Sequence, residues 1–110
     1  MTSVGSTHAA ALTRFGSALS EGVRTRILLS LREAPARPTD LTESLGVSKQ
    51  VVSNQLACLR GCGLVEATRE GRNTWYRLAD PRLGGALGEL LDLVVAVEPV
   101  CCSPEGCNCA

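Results

Sequence analysis

The sequence is poor in aromatic residues and in histidine, and both scarcities limit what the chain can be. One Phe, one Trp and one Tyr occur among 110 residues, so a core has to be built from Leu, Val, Ile and Ala, which suits packed helices. The only histidine, His8, lies near the N-terminus, where we expect an ordinary exposed residue. The length allows one small domain.

Net charge is absent as well. Eleven basic and eleven acidic residues leave a formal charge of zero, so any nucleic-acid binding has to be argued from local charge. Residues 46–79 contain five basic and two acidic side chains, a net charge of +3, and the rest of the chain is acidic by the same amount. A nucleic-acid surface is therefore to be sought in this segment.

Long hydrophobic runs are also missing. Residues 87–97 form an apolar stretch that is too short for a membrane span and contains Glu89 and Asp92. The N-terminus does not have the charged and apolar regions of a secretory signal. We expect a cytoplasmic protein without a membrane partner. Cytoplasmic thiols are usually reduced, so metal binding or redox sensing explains six cysteines better than a disulfide framework does.

Apolar spacing and capping residues predict the order of the elements. The sequence indicates helices at 8–19, 21–32, 40–45, 49–61 and from Asp80-Pro81 to Pro99, and strands at 64–68 and 74–78. The predicted N-caps are Ser20, Thr39, Ser48 and Asp80. Two helices joined by a short turn that contains Gly46 are typical of a helix-turn-helix.

This order predicts a mainly α fold with a two-stranded wing, a winged helix-turn-helix. Residues 1–6 are predicted to be a disordered leader, residues 7–98 the DNA-binding and dimerisation domain, and residues 99–110 a cysteine-rich metal-binding tail. No internal repeat or second domain is indicated.

Polar and basic residues lie off the apolar stripe of the predicted recognition helix. Gln and Asn can pair with adenine edges, Ser and Lys suit bases or phosphates, and a helix N-terminus favours a phosphate. Arginines of the hairpin can reach flanking phosphates or a minor groove. The predicted DNA contacts are Ser48, Lys49, Gln50, Ser53, Asn54, Gln55, Arg69, Arg72 and Arg77. The alternative for any one of them is a solvated polar side chain.

The cysteines have metal-ligand spacing. Cys58 and Cys62 are four residues apart, so on a helix they lie on one face and can share an ion. Two sulfurs leave coordination incomplete, and the tail offers Cys101, Cys102, Cys107 and Cys109. All-sulfur ligation selects thiophilic ions such as cadmium, lead, arsenite, mercury or copper(I), with zinc possible. The alternatives are buried small hydrophobes in the helix and an oxidation-prone end in the tail.

Six short segments together resemble the ArsR/SmtB repressors, over roughly residues 10–97. They are VRTRIL at 23–28, LTESLGVS at 41–48, VSNQL at 52–56, LRGCGLV at 59–65, REGR at 69–72 and YRL at 76–78. The resemblance implies a homodimer built mainly by the first and last helices. It also implies that the metal-free protein binds double-stranded operator DNA and that metal releases it.

Within this family the segment CLRGCG at 58–63 is similar to the actinobacterial cadmium/lead sensors. That similarity implies Cys58 and Cys62 as helical ligands and Cys102 as the tail ligand, with Cys101 as a close competitor. The tail departs from the pattern because it has four cysteines and a shorter spacing after the last helix. Cys107 and Cys109 are candidates for an additional metal site. The last helix has no histidine, so the histidine–carboxylate zinc site of other members is not expected.

The sequence therefore predicts a transcriptional repressor that releases DNA when a soft metal ion, cadmium or lead, binds to cysteine thiolates. One alternative is an arsenite- or redox-sensing repressor of the same fold, which the adjacent Cys101 and Cys102 would suit. A more remote alternative is a cysteine-rich metal buffer or chaperone, in which the helix-turn-helix and wing have no purpose. An enzyme is not expected, since there is no Cys–His pair, carboxylate pair or phosphate loop.

Overall fold

A computed structural model describes the backbone of residues 4–97, 102–103 and 106–107, and the side chains of residues 7–97. The helices are α1 (Val4–Leu19), α2 (Gly22–Glu33), α3 (Pro38–Leu45), α4 (Lys49–Gly61) and α5 (Pro81–Ala96). The strands are β1 (Val65–Glu70), β2 (Asn73–Leu78), β3 (Cys102–Ser103) and β4 (Gly106–Cys107). Helices α3 and α4 with the β1–β2 hairpin form a winged helix-turn-helix, which confirms the predicted fold class. No helix in the described part of the chain has the length and apolarity needed to cross a membrane.

Two of the predicted helix starts are confirmed. The Ser48 hydroxyl accepts a hydrogen bond from the Val51 N–H at 3.1 Å and caps α4. The Asp80 carboxylate accepts from the Arg82 N–H at 2.8 Å and caps α5, with Pro81 in the first turn. Each cap satisfies a backbone donor that a helix leaves unpaired at its start.

Two other predicted caps are wrong. The N-cap of α2 is Glu21, whose carboxylate accepts from the Arg24 N–H at 2.9 Å, while the Ser20 hydroxyl instead donates to the Ser17 carbonyl at the end of α1. Helix α3 begins at Pro38 rather than after Thr39, because proline is preorganised for a first helical position.

The first helix is longer than the sequence indicated. It begins at Val4, inside the segment 1–6 that was predicted to be a disordered leader. No proline interrupts residues 4–19, so the helix can extend by another turn toward the N-terminus.

The core lies where α2, α3 and α4 meet the wing. Its buried side chains are all apolar, and no polar or charged side chain is buried among residues 7–97. They are Ala18, Ile27, Leu28, Leu31, Ala36, Leu41, Val52, Leu56, Leu59, Val65 and Leu87. Because α4 contributes one buried stripe, its opposite face is left on the surface.

Backbone hydrogen bonds attach the second strand of the wing to the segment between α2 and α3. Strands β1 and β2 pair antiparallel from Val65 opposite Leu78 to the turn, where Gly71 has φ +64°, a value that glycine adopts without strain. Ala36, between α2 and α3, exchanges two backbone hydrogen bonds with Tyr76, at 3.0 and 2.8 Å. The hairpin therefore has a defined orientation relative to the helix-turn-helix.

An ion pair also stabilises the start of α5. Arg82 Nη2 lies 2.8 Å from Asp80 Oδ2, and hydrogen bonding by the Arg82 side chain lowers the pKa of Asp80 to about 2. The Arg82 backbone N–H favours the same charged form. The carboxylate therefore stabilises the fold above its ordinary pKa of 3.8, and this contribution is lost as pH falls through about 2.

We expect Asp80→Asn to be less stable than the unmodified chain near neutral pH, with a difference that shrinks as pH falls from about 4 toward about 2. Asparagine is also a good N-cap, so the substitution removes the charge and keeps an acceptor. Urea unfolding followed by circular dichroism at several pH values measures the difference. A difference that does not change with pH would contradict the assignment of the ion pair.

Candidate nucleic-acid interface and metal centre

The exposed face of α4 contains most of the predicted DNA contacts. Gly46, with φ +67°, ends α3 by donating its N–H to the Thr42 carbonyl at 3.0 Å and turns the chain into α4. With the apolar stripe buried, five of the six predicted side chains of this segment are exposed: Ser48, Lys49, Gln50, Ser53 and Asn54. This is the arrangement that a helix needs to enter a major groove.

Two of these side chains form one hydrogen-bonding unit. Gln50 Nε2 donates to Asn54 Oδ1 at 2.9 Å, between residues one turn apart. The bond leaves the Gln50 carbonyl oxygen and the remaining amide protons of both residues available to a partner. A joint acceptor and donor is what the N6 and N7 atoms of adenine require.

Gln55, the sixth predicted contact, is engaged within the protein. Its Oε1 accepts a hydrogen bond from Arg24 Nη1 of α2 at 2.9 Å, and the residue is half-buried. The same guanidinium donates to the carbonyls of Ala18 and Ser17 near the end of α1, each at 3.0 Å. Arg24 thus joins α1, α2 and α4, a role that sequence reasoning missed because the partners lie far apart in the chain.

The three predicted wing arginines do not share one surface. Opposite residues of an antiparallel pair point to the same side and alternate along each strand, so Arg69 shares a face with Val65 whereas Arg77 shares the other with Trp75. Arg72 lies in the exposed turn. Arg77 is half-buried, and its Nε has no hydrogen-bond partner among the described residues. Arg72 is the wing residue best placed to reach a phosphate.

A basic group that contacts the wing from the start of α3 was not expected from the sequence. The Arg37 guanidinium lies 5.4 Å from the centre of the Trp75 ring, within the range of a cation–π contact. Its Nη2 also lies 3.0 Å from Asp40 Oδ1, and this hydrogen bond lowers the pKa of Asp40. The start of α3 is therefore held against the outer face of the hairpin.

The cysteine pair lies at the end of the recognition helix. Cys58 is exposed, and Cys62 is half-buried at the C-cap, where its N–H donates to the Cys58 carbonyl at 3.0 Å. Both thiols are free. The helical bond places them on one face, with Cβ atoms about 5–6 Å apart. Two accessible thiols one turn apart fit a soft metal ion as two of its ligands.

The described side chains do not complete a metal site. No group of three or more His, Cys, Asp or Glu residues lies together among residues 7–97. Cys101 and Cys109 lie outside the described residues. The backbones of Cys102 and Cys107 are described, and the β3–β4 pairing places these two residues directly opposite each other. The tail ligands named from the sequence therefore stay a prediction.

The amides and the thiols of α4 form one continuous row. Gln50, Asn54, Cys58 and Cys62 follow each other at intervals of four residues, so each lies one turn from the next. The first two can contact DNA and the last two can contact a metal ion. The row places both chemistries on a single rigid element.

Comparisons with known proteins agree with this architecture. A sequence profile described as bacterial regulatory protein, arsR family, matches residues 21–67. The HTH-type transcriptional regulator CmtR of Mycobacterium tuberculosis is 51% identical over 88 residues, which are 80% of this chain and 75% of CmtR. The NMR structure of CmtR, described as a cadmium metal-sensor, matches with 47% identity and a TM-score of 0.66, over 83% of this chain and 97% of that chain.

A further solved structure is a homodimeric winged helix-turn-helix DNA-binding domain from Mycobacterium bovis, described as a possible ArsR-family regulator. It is 28% identical, has a TM-score of 0.74 and covers 86% of this chain and 87% of its own. The identity to CmtR over most of both chains, together with the matching profile, shows that this protein belongs to the arsR family of bacterial transcriptional regulators.

Proposed function

We propose that the chain is a metal-responsive repressor that binds operator DNA when metal-free and releases it when a soft metal ion binds. The observation that carries the proposal is the row on α4, where thiols lie one turn beyond the amides that face DNA. The proposed inducer is cadmium or lead, with arsenite or zinc as further candidates. CmtR, described as a cadmium metal-sensor, supports this choice of ion.

The proposed ligands are Cys58 and Cys62 from α4 and Cys102 from the tail, with Cys101 as the competitor for the tail position. Cys107 and Cys109 are proposed for an additional site. Cadmium or lead, when bound, would hold the thiolates together, because thiolates are the ligands that such soft ions prefer. The chain supplies two sulfurs on a rigid helix and the remainder on a segment beyond α5, so closing the site constrains the end of α4 relative to the tail.

That constraint is enough to release DNA. A dimer reads two half-sites with its two recognition helices, and their separation and tilt have to match the operator. A hundredfold loss of DNA affinity needs only about 2.7 kcal/mol of coupling between metal and DNA. Zinc–thiolate sites bind with about 10–16 kcal/mol, so a small part of such an affinity suffices.

The proposed assembly is a homodimer through α1 and α5. Large apolar side chains are exposed on both helices. They are Leu93, Val94 and Val95 of α5, Val97 just after it, and Leu12 of α1, which is 71% exposed. A groove between α2 and α5 is lined by apolar side chains that include Leu29, Leu91 and Val94. A contiguous apolar patch of this kind marks an interface, and the homodimeric structure from M. bovis supports it.

A DNA-binding regulator acts where the chromosome is, so we place the protein in the cytoplasm. The proposed DNA contacts are Ser48, Lys49, Gln50, Ser53, Asn54 and Arg72, with Gln55, Arg69 and Arg77 supporting them. No enzymatic step is part of the proposal.

We expect Cys58→Ser to bind operator DNA normally in the absence of metal and to need roughly 100-fold more cadmium for release. A thiolate site of about 10–16 kcal/mol shared among three ligands gives at least about 3 kcal/mol per sulfur, so a factor of roughly 100 is a lower bound. Fluorescence anisotropy of labelled DNA measures release under anaerobic conditions, and ultraviolet thiolate-to-metal absorption measures binding in the same samples. Operators are obtained by selection from random duplexes.

The matched control is Ala57→Ser, which introduces the same side chain at an exposed position next to Cys58. It should respond to cadmium as the unmodified chain does. Unchanged release in Cys58→Ser and in Cys62→Ser would contradict the proposed metal site.

Asn54→Ala should weaken binding to the selected operator by about 1–3 kcal/mol, roughly 5- to 150-fold, with little effect on a scrambled duplex. The substitution removes one base-reading amide and the partner of Gln50. Arg72→Ala is the contrast: loss of a phosphate contact should weaken binding to both duplexes and reduce the slope of affinity against salt concentration. Equal losses on both duplexes for Asn54→Ala would argue against base reading by α4.

Val94→Glu should weaken dimerisation by more than roughly 100-fold, because an unpaired charge in an apolar interface costs about 3–5 kcal/mol. Sedimentation equilibrium measures the monomer–dimer constant. Glu89→Gln, on the opposite side of α5 from Leu87 and Val94, is the control and should stay dimeric. If Val94→Glu dimerises like the unmodified chain, α5 does not form the interface.

A further inference from the structure

The tail contains a short hairpin that sets two cysteines against each other. Strand β3 pairs antiparallel with β4, with Cys102 opposite Cys107 and Ser103 opposite Gly106. The intervening sequence favours a reversal of the chain between the two strands. Ser at the first, Pro at the second and Gly at the fourth position of Ser103-Pro104-Glu105-Gly106 are typical of a type I turn.

This register meets the backbone requirement for a disulfide. Opposite residues of an antiparallel pair have Cα atoms about 4.5–5.5 Å apart, and disulfides join Cα atoms about 4.4–6.8 Å apart. Both kinds of antiparallel pair have Cα separations within the disulfide range, so the register of Cys102 opposite Cys107 is sufficient by itself.

Two other pairs, which are close in the sequence, fit less well. Cys58 and Cys62 are held one helical turn apart by the 3.0 Å backbone bond, and their Cβ separation of about 5–6 Å exceeds the 3.5–4.5 Å of disulfides. Adjacent Cα atoms, as in Cys101 and Cys102, are about 3.8 Å apart, below the usual disulfide range. Of these three pairings, backbone geometry favours Cys102 with Cys107.

We propose that Cys102 and Cys107 are a modification site at which a peroxide forms an intrachain disulfide, and that this disulfide removes Cys102 from metal binding. The pairing stands on the register of β3 and β4, whereas the effect on metal binding rests on the proposed function. Oxidised chain then still binds operator DNA and needs more cadmium for release than reduced chain does. The tail thus carries an oxidation-sensitive element within a metal-responsive regulator.

The oxidation is a balanced two-electron step. One thiol loses its proton, its thiolate attacks a peroxide oxygen, the O–O bond breaks, and the leaving hydroxide takes up that proton, so that a sulfenic acid and one water form. The second thiolate attacks that sulfur, the S–O bond breaks, and the oxygen leaves as a second water. Hydrogen peroxide is reduced, the two thiols are oxidised, and a thiol reductant reverses the reaction.

Peptide mapping tests the pairing directly. Reduced, metal-free protein is treated with one equivalent of hydrogen peroxide, alkylated, and cut after glutamate, which separates Glu105 from Gly106. Cys101 and Cys102 lie before this cut, and Cys107 and Cys109 after it. We expect the fragment 106–110 to stay linked to the preceding one through Cys102 and Cys107, with Cys58 and Cys62 alkylated.

Three variants identify the partners, and the first, Cys101→Ser, should retain the link because Cys102 is the proposed partner before the cut. Cys109→Ser should retain the link and Cys107→Ser should lose it, and the pair differs only in which tail thiol is removed. Separate fragments after oxidation, a link that survives in Cys107→Ser, or a Cys58–Cys62 disulfide would overturn the proposal.

The effect on metal binding is measured on the same material. Oxidised unmodified chain should need at least roughly tenfold more cadmium for operator release than reduced chain, and thiol reduction should restore the response. Cys107→Ser should respond equally before and after peroxide. If cadmium never releases the reduced protein from operator DNA, the proposed function is wrong. The peptide mapping still tests the disulfide independently of that result. If the link forms and the cadmium response does not change, the effect on Cys102 is wrong.

Discussion

The geometry of the recognition helix depends on Arg24. This half-buried guanidinium donates hydrogen bonds to two carbonyls near the end of α1 and to Gln55 of α4. Bonds from a charged donor are stronger than neutral ones, and the surrounding core is otherwise apolar. The orientation of α4 relative to α1 is thus set by one side chain and the packing around it. Since α1 belongs to the proposed dimer face, Arg24 connects that face with the surface that is proposed to contact DNA.

The two ends of α4 are held by different contacts and carry different side chains. Its N-terminal half is fixed by the Ser48 cap and by Gln55, and this half presents Gln50 and Asn54. Its C-terminal end has Cys58 exposed and Cys62 at the cap, next to the turn into the wing. A constraint applied at the thiols acts on the C-terminal end of a rigid helix, so under the proposed function a displacement there changes the tilt of the half proposed to contact DNA.

Sequence reasoning succeeded where the determining physics is local. Apolar spacing predicted the buried stripe of α4, and Ser48 and Asp80 were identified as caps because their own helix starts supply the donors. Ser20 failed as a cap because the end of α1 offered a competing acceptor. The engagement of Gln55 depends on a residue 31 positions away, and the opposite faces of Arg69 and Arg77 depend on strand register. Neither is visible in spacing alone.

Thiophilic metal selectivity and sensitivity to oxidation have the same chemical origin, because the thiolate is both the soft ligand and the nucleophile. A sensor built only from cysteines cannot be selective for thiophilic metals without also being sensitive to oxidation. Backbone geometry therefore has to separate these two properties. Cys58 and Cys62 are kept apart by an α-helix, which permits a shared ion and opposes a disulfide. Cys102 and Cys107 face each other across a hairpin, which permits both. The helical pair is therefore the lasting half of the proposed metal site, and the tail is the half whose availability the redox state of the cell controls.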